Sequence, residues 1–535
     1  MTPQRSGARS EHTAAGHTFD PPPLDSEPPF HYVRTLRHLA KSRPDHLAVA
    51  APTRELTTIE LLCRAESLAA YLRSMGIAAG PPIATMASNC VEVIETFYAA
   101  LVAGAPPTNI NPRYSADEVR YVLEDCQAGA IVYEAGAAGV VAAALADITR
   151  PVHALQIGSD TWERAITGEP GSARALSDDD RLLIYTGGTT GLPRAVEWRV
   201  SDHYQMIWQM VKRDGPPPTP EFTVESGRCA PTALPCSPIL HGVGLSLMLN
   251  TLNGGGTVVV SDTLSFDAEK TLELTARCGV AVLGIVGDAF ARPLLTELET
   301  GRWAGRLPSL RAISSAGAVW STTIRTRMSE LLPDVRLISN FGSTEALVAR
   351  DVANGVPFEP GDDMIVIGPD GGPAQPGQVG IVGTTGFLPV GYLGDPDKTA
   401  RTFPIIDGRR YAVTGDEARV EANGWITLLG RGTAVINTGG EKVWPEEVEA
   451  TLRGNPEVID VVVVGRDDER WGQRVTAVLQ MSASTQVSDG QLAADCREKL
   501  APYKCPKDWV RVDAVPRTPV GKPDYRAIQE MLKET

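Results

Sequence analysis

The sequence predicts an α/β protein: a large layered region, a small β-rich insert, and a compact α+β unit at the C-terminal end. Two observations carry this reading. Strand and helix signals alternate through most of the first 430 residues, which argues for parallel strands joined by helices. The rhythm then changes, near residue 354 and again near residue 430. Length agrees, since 535 residues exceed what one hydrophobic core usually holds.

Taken in order, residues 1–29 (MTPQRSGARSEHTAAGHTFDPPPLDSEPP) have no apolar stretch of the signal-peptide kind and read as a flexible tail. Ser115-Ala-Asp-Glu118 is a capping box, and Val119, Val122, Leu123 and Cys126 share one helical face behind it. AIVYE at 130–134 reads as a short buried strand. GTVVVSD at 256–262, VAVLGIVG at 280–287 and LRAISSAG at 310–317 read as further strands, with helical patterns between them. The segment 213–235, which contains GPPPTP, reads as a long surface loop. From 354 to 430 glycine, proline and aspartate become dense, as in GPDGGPAQPGQVGIVGTTG, and predict a small β-rich subdomain with tight turns.

The best boundary is Gly430-Arg431-Gly432, which separates a 30–430 region from a C-terminal unit at 435–535. In that unit PEEVEATLRG is a short helix with Pro445 early and Gly454 as its stop. VIDVVVVG and RVTAVLQM are strands, and Ser488 caps a helix running to Pro502. No internal repeat is visible.

Composition narrows the function classes. Fifty basic against 65 acidic residues give a net charge of −15, which argues against nucleic acid as the main partner but allows a local pocket for one nucleotide. The eight cysteines are dispersed, with no CxxC pair or Cys/His ligand spacing, which argues against structural zinc and for a reduced chain. The Ala-rich stretch 128–146 comes closest to a membrane span but is short and bracketed by Glu134 and Asp147. A cytoplasmic protein without an integral membrane segment is expected, with a homodimer as the default oligomer.

The most informative stretch is IYTGGTTGLPRAV at 184–196. Gly187, Gly188 and Gly191 permit close backbone approach, so that successive N–H groups can converge on an anion. Thr186, Thr189 and Thr190 add hydroxyls for phosphate or a hydrated metal, and Arg194 adds a positive charge. The Walker pattern fails, because Gly191 is followed by Leu-Pro-Arg, and the dinucleotide fingerprint fails too. By itself this is also what a Gly/Thr-rich surface turn looks like.

The stretch resembles the phosphate loop of the adenylate-forming superfamily, which includes acyl-CoA synthetases, nonribosomal adenylation domains and luciferases. That loop commonly reads YTSGTTGxPKG; Arg194 and Ala195 are mild departures, because the charge survives. The TGGTTG form resembles bacterial fatty-acyl and steroid-side-chain CoA ligases more than peptide-synthetase domains. The resemblance recurs in order along nearly the whole chain. PILHGVG at 238–244 resembles the substrate-side motif and implies that His241 lies near the acyl carboxylate. ISSAGAVWS at 313–321 resembles the adenine-side motif, with Ala316, Gly317 and Ala318 against the nucleotide. In NFGSTE at 340–345, Asn340, Phe341, Gly342 and Ser343 would border adenine, with Phe341 stacking on it. Thr344 would hold phosphate, and Glu345, with Thr190, would hold Mg²⁺. GYLGDPDKTARTF at 391–403 follows, then TGD at 414–416 with Asp416 on the ribose. WITLLGRGTAVINTGGEKVWPEEVE at 425–449 implies Ile426 at the nucleotide and Arg431 at the ribose, and PRTPVGKPDYR at 516–526 carries Lys522.

The resemblance implies a large N-terminal adenylate-forming domain and a mobile C-terminal domain that delivers the catalytic Lys522 across a hinge at 431–434. The implied reaction joins a carboxylate to AMP from ATP, releases pyrophosphate, and passes the acyl group to coenzyme A. His241 then orients or gates the acid rather than acting as a base, since carboxylates are already ionised at pH 7. The implied acyl pocket (Tyr204, Trp208, His241, Val243, Gly287 and Ala318) is largely apolar and favours a hydrophobic acid. Gly242, Gly244, Gly284 and Gly287 suggest room for a polycyclic one. Asp288 is the one carboxylate that keeps an α-amino acid substrate open. At the hinge Ala434 stands where the family pattern GRxxDxI often has aspartate, while Gly439, Gly440 and Glu441 resemble the loop flanking the pantetheine tunnel. Two alternatives stay open. One is an enzyme that performs mainly the first half-reaction and passes acyl-AMP to a partner ligase or carrier protein. The other is a nucleotide sensor without turnover, which the joint presence of Thr190, Glu345, Asp416, Arg431 and Lys522 disfavours.

Overall fold

Two parallel-rich sheets and the helices packed between them build most of the molecule. The computed structural model describes residues 27–77, 80–171, 174–186, 193–209, 219, 229–263, 265–318, 320–350, 356–431, 436–438, 441–468, 472–483, 485–500, 502–518, 521 and 523–534. The first sheet has eight strands in the order Leu347–Arg350, Arg336–Gly342, Ala312–Ala316, Val282–Ile285, Ala233–Pro235, Val258–Val259, Leu47–Ala50 and Glu55–Thr57. Its interior pairs are parallel and its two edge pairs antiparallel. The parallel register follows from the connections: the helix Gly287–Glu299 returns the chain after Val282–Ile285, and Thr322–Leu331 does so after Ala312–Ala316.

The second sheet has seven strands, ordered Gly391–Tyr392, Arg194–Arg199, Arg181–Thr186, Pro107–Asn109, Ile83–Met86, Ala130–Tyr133 and His153–Gln156. One apolar cluster holds residues of both sheets together with the helices Tyr32–Ser42, Thr58–Ser74, Val91–Ala103 and Gly242–Asn253. Val91–Ala103 is buried on every side, and its sequence accordingly reads as an apolar run without a polar face. A four-stranded antiparallel sheet from Met364 to Arg431 has its own small core, and the C-terminal unit has a five-stranded sheet and two.

Several local expectations match the structure. The capping box at Ser115 opens the helix Ala116–Asp125, and the strand at 130–134 is Ala130–Tyr133. Pro445 begins the helix Pro445–Arg453, and Ser488 caps Asp489–Lys499, which ends short of Pro502. The strands foreseen at 256–262, 280–287 and 310–317 are shorter, at Val258–Val259, Val282–Ile285 and Ala312–Ala316. No disulfide joins any of the eight cysteines, and Cys126, Cys496 and Cys505 are buried.

Two expectations are overturned. The segment 213–235 is not a surface loop to its end: Ala233–Pro235 is a buried strand in the middle of the eight-stranded sheet. Three residues with a proline carry almost no periodic signal, and only the parallel partners on both sides make them a strand. The tail also ends sooner than residue 29. Glu27 is 5 % exposed and pairs at 2.5 Å with Arg37, which is fully buried and also contacts Glu66 at 3.2 Å. One guanidinium thus bonds two buried carboxylates; burial raises the Glu66 pKa, opposed by Arg37 and by the charge of Arg73. Replacing Arg37 with alanine should therefore cost about 3–5 kcal/mol, because it strands both charges. A denaturation midpoint within a degree of the unmodified protein would contradict this.

Candidate active site

Several expected site segments, at Thr186, 238–241, Gly287, Ala316 and 340–345, follow or end parallel strands, where open α/β sheets form their ligand crevice. Asp416 and Arg431 instead pair in an antiparallel sheet. Thr186 ends one strand and Arg194 begins the next, paired across the ladder on either side of the glycine-threonine loop. Ala316 ends the strand Ala312–Ala316 directly opposite Asn340, and Gly317 turns the chain away with φ +81°, a conformation suited to glycine. Gly287, at φ +55°, opens its helix and donates its N–H to Ser315 Oγ at 2.9 Å. The segment before His241 is clamped by Asn89, whose amide donates to the carbonyls of Pro235 (3.2 Å) and Ser237 (2.9 Å) and accepts from Ile239 N (2.7 Å).

The centre of the site is the tight loop 343–346. The strands Arg336–Gly342 and Leu347–Arg350 form a hairpin with a bulge at Phe341/Gly342, closed by a hydrogen bond from Ser343 N to Ala346 O at 2.8 Å. Ser343 Oγ also accepts from Glu345 N at 3.2 Å. The second sheet holds this loop from outside. Trp198 Nε1 donates to Thr344 O at 3.1 Å, and Tyr392 OH donates to Glu345 Oε1 at 2.6 Å. Lys398 Nζ lies 3.9 Å from the centre of the Tyr392 ring; burial lowers its pKa, opposed by the charge of Glu345 and reinforced by Arg194. A Cβ added to Gly242 would lie 3.6 Å from Thr344 Oγ1, so the His241 segment and the Thr344 loop face each other. His241 itself is half-buried and precedes the helix Gly242–Asn253 as its N-cap residue.

On the nucleotide side, Asn340 Nδ2 donates to Ser314 Oγ at 3.1 Å, while its Oδ1 is buried without a hydrogen-bond partner. A buried amide oxygen left open in this way fits an exocyclic amine such as that of adenine. Phe341 is half-buried and packs against the core of the β-rich subdomain. Asp416 is 2 % exposed, accepts from Thr414 Oγ1 at 2.5 Å, and sits across the ladder from Arg431. Glu345 is a single carboxylate, and no cluster of three His, Cys, Asp or Glu side chains exists among the described residues. That donor set suits Mg²⁺ held by one carboxylate plus phosphate and water, not a metal caged by protein alone.

On the acyl side, Val243, Ala318 and the buried Phe290 belong to one apolar cluster, and Trp208 is half-buried at the end of Val200–Gln209. Three expectations fail here. Tyr204 is 2 % exposed; it packs 5.2 Å from the Tyr32 ring and bonds Thr35 Oγ1 at 3.2 Å, so it belongs to the core rather than to a pocket wall. Ile426 is 2 % exposed and sealed within the β-rich subdomain, paired with Val420 and Phe358. Asp288 is no free partner for an amino group: its Oδ1 accepts from Ser321 N at 2.8 Å, and its Oδ2 lies 3.8 Å from Arg453 Nε. In each case the side chain's direction was set by packing across elements, which periodicity does not report.

Gly187, Gly188, Thr189, Thr190, Gly191, Ala434, Gly439, Gly440 and Lys522 lie outside the described residues, as do the side chains of Arg431 and Glu441. Trp198, Asn89, Tyr392 and Lys398 were not foreseen as site residues. For Tyr392 and Lys398 a cue existed, since both stand in the quoted stretch 391–403, but nothing local says that they meet Glu345.

Comparison with known proteins shows the family and the fold. A model of the AMP-binding enzyme family matches residues 36–388, and one of the AMP-binding enzyme C-terminal domain matches 447–522. The chain is 34 % identical to a 3-oxocholest-4-en-26-oate–CoA ligase of Rhodococcus rhodochrous, over 92 % of this chain and 94 % of that one. It is 35 % identical to a medium/long-chain-fatty-acid–CoA/3-oxocholest-4-en-26-oate–CoA ligase of Mycobacterium tuberculosis H37Rv, over 93 % and 95 %. Among solved structures, the anthranilate CoA ligase AuaEII in complex with anthranoyl-AMP shares the fold at TM-score 0.82 and 20 % identity, covering 95 % and 98 %. ATP-bound MatB from Rhodopseudomonas palustris does so at 0.80 and 24 %, covering 94 % and 99 %.

Behind the Thr344 loop, Trp198 packs 5.3 Å from the ring of His203, whose Nδ1 shares a 2.8 Å hydrogen bond with Tyr32 OH. Burial lowers the His203 pKa from its usual 6.5 to about 3. The unfolded chain therefore takes up this proton first as pH falls, and stability present above pH 6.5 is lost progressively below it. Between pH 7 and pH 5 this one group should remove about 2 kcal/mol. His203→Asn should flatten the acid limb of a denaturation series by that amount; an unchanged slope would show that His203 does not control it.

Proposed function

The chain belongs to the AMP-binding enzyme family, and we propose that it ligates a hydrophobic carboxylic acid to coenzyme A, with ATP cleaved to AMP and pyrophosphate. It is an acid–thiol ligase of the AMP-forming type. The observation that carries the reading is the 343–346 loop: Thr344 faces the His241 segment while Glu345 is fixed by Tyr392 beside Lys398, which also stands near Arg194. That arrangement sets an acid-binding element against a phosphate-binding one.

The chemistry follows from charge. A carboxylate is a poor acyl donor, so an oxygen of the acid attacks the α-phosphorus of ATP and pyrophosphate leaves. Two anions must meet, and cationic and N–H groups must offset their repulsion. The loop from Thr186 to Gly191, Arg194 and Lys522 supply that offset, and Thr344 holds a phosphate oxygen. Glu345 and Thr190 would hold Mg²⁺, which when bound neutralises phosphate charge. Asn340 and the turn Ala316–Gly317–Ala318 border adenine, with Phe341, Gly342 and Ser343; Asp416 and Arg431 take the ribose hydroxyls. His241 orients the acid. In the second step the thiol sulfur of coenzyme A attacks the acyl carbon, AMP departs and the thiol proton passes to solvent. Gly439, Gly440 and Glu441 flank the thiol's path, and Ala434 is the turning point.

Relatives matched across more than nine-tenths of the chain are named CoA ligases, which disfavours an enzyme limited to the first half-reaction. For the acid, the half-buried apolar residues Val243, Ala318 and Trp208 support a hydrophobic one, such as a steroid side-chain or medium- to long-chain fatty acid. Gly244 and Gly284 leave no room for it, since a Cβ on either would collide with Pro238 O or Leu247 Cδ2, respectively. An α-amino acid is unsupported, since Asp288 is engaged by Ser321 N and Arg453. No helix among the described residues is long and apolar enough to cross a membrane.

A panel of acids with ATP and Mg²⁺, followed by mass spectrometry for acyl-AMP and then for acyl-CoA, tests the reading. Steroid and fatty acids should give both products and α-amino acids neither. Acyl-AMP that persists beside unused coenzyme A would restore the half-reaction alternative. Tyr392→Phe removes one hydrogen bond to a charged group, about 1.5–3 kcal/mol, and should slow adenylation roughly 10- to 100-fold while raising the Mg²⁺ requirement. An unchanged Mg²⁺ titration would remove Tyr392 from the site.

A further inference from the structure

We propose that Asp288 is a positioning residue for the adenylation step: through Arg453 it docks the C-terminal unit against the acyl-binding region and so seats the loop that carries Lys522. The inference rests on the ligase function proposed above. Asp288 is the second residue of the helix Gly287–Glu299 and is 8 % exposed. One carboxyl oxygen is fixed by Ser321 N, and the other has no hydrogen-bond partner and lies 3.8 Å from Arg453 Nε. Arg453, the last residue of the helix Pro445–Arg453, is 7 % exposed. Its Nη2 donates within the C-terminal unit, to Glu449 Oε2 at 3.0 Å and Val461 O at 2.8 Å, while Nε and Nη1 have no hydrogen-bond partner. Half of this buried guanidinium is therefore satisfied by its own unit, and its remaining ion-pair partner is Asp288, across the interface.

The same helical turn closely approaches Gly521, the residue before Lys522 in sequence. A Cβ added to Gly521 would lie 2.8 Å from Ala289 Cβ and 3.3 Å from the Phe290 ring, and Gly521 has φ +79°, so the loop approaches this closely because residue 521 is glycine. The loop is held from its own side by Arg517, which donates to Gly521 O at 2.9 Å and pairs with Asp460 at 2.6 and 2.7 Å. Arg292, one turn beyond Asp288, completes the cluster: burial lowers its pKa, opposed by Asp288 and Asp460 and reinforced by Arg453 and Arg517. Residues 288–290 thus meet the C-terminal unit at two points, one electrostatic and one steric, and the second lies immediately before Lys522. Asp288 acts on the chemistry only through this docking. A two-step cycle requires the docked pose to be near balance with an open one, so losing a single buried ion pair shifts it measurably.

Asp288→Asn keeps the acceptor for Ser321 N and removes the charge. Acid-dependent ATP–pyrophosphate exchange should fall about tenfold in kcat, with KM for acid and ATP within about twofold, because Asp288 touches neither. Thioester formation from preformed acyl-AMP should be unchanged or faster. Amide exchange across 515–525 should quicken more than in the rest of the chain, and adding Arg453→Gln should cause little further loss, as expected of one shared contact. Equal slowing of both half-reactions, a rise confined to the acid KM, or additive effects of the two substitutions would overturn the proposal. If the unmodified enzyme makes neither product, the ligase reading falls instead, and the amide-exchange comparison decides the docking contact alone.

Discussion

The site depends on one constraint: the four-residue loop 343–346 must stand at the junction of two sheets that do not share a strand. It belongs to an edge hairpin of the eight-stranded sheet, yet Trp198 and Tyr392 of the seven-stranded sheet hold its backbone and its carboxylate. Edge hairpins are usually the least restrained part of a sheet. Here two long-range hydrogen bonds, one of them to a charged group, remove that freedom and fix the position of the loop and of the Glu345 carboxylate. The buried apolar cluster between the sheets maintains the distance across which those bonds form.

Charge is distributed on the same logic. The chain carries a net charge of −15, but Lys398 stands near both Glu345 and Arg194 and is held over the Tyr392 ring. A phosphate-binding crevice in an acidic protein needs such local concentration, because the overall field disfavours anions. Elsewhere buried charges occur in groups of both signs: Arg37 between Glu27 and Glu66, and the cluster of Asp288, Glu449 and Asp460 with Arg292, Arg453 and Arg517. The first lies within one layer and holds the fold. The second spans two units, so the energy of its pairing is coupled to how they are arranged.

Much of the candidate site could be proposed from the sequence because its motifs are contiguous stretches. Glycines at turns, hydroxyls in a phosphate loop and a lone glutamate after Ser-Thr mark 186–194, 313–321 and 340–345 without any knowledge of the fold. Capping boxes at Ser115 and Ser488 mark helix starts for the same reason, since a cap is satisfied within four residues. Sequence reasoning failed where a residue's role depends on what lies opposite it. Tyr204 and Ile426 look like wall residues in a list and are core residues in space. Ala233–Pro235 looks like the end of a loop and is a central strand.

The sequence by itself determined the α/β class, the change to a β-rich insert and then a C-terminal unit, and the family, because these follow from local periodicity, turn residues and short motifs. Tertiary structure alone decided that Trp198 supports Thr344 from 146 positions away, that Tyr392 and Lys398 serve Glu345, and that Asp288 faces Arg453 rather than a substrate. The physical reason is range. Hydrogen bonds, capping and backbone preference act over a few residues and leave their imprint on the sequence. Which distant side chains meet is set by the packing of whole layers, and no short stretch carries that information.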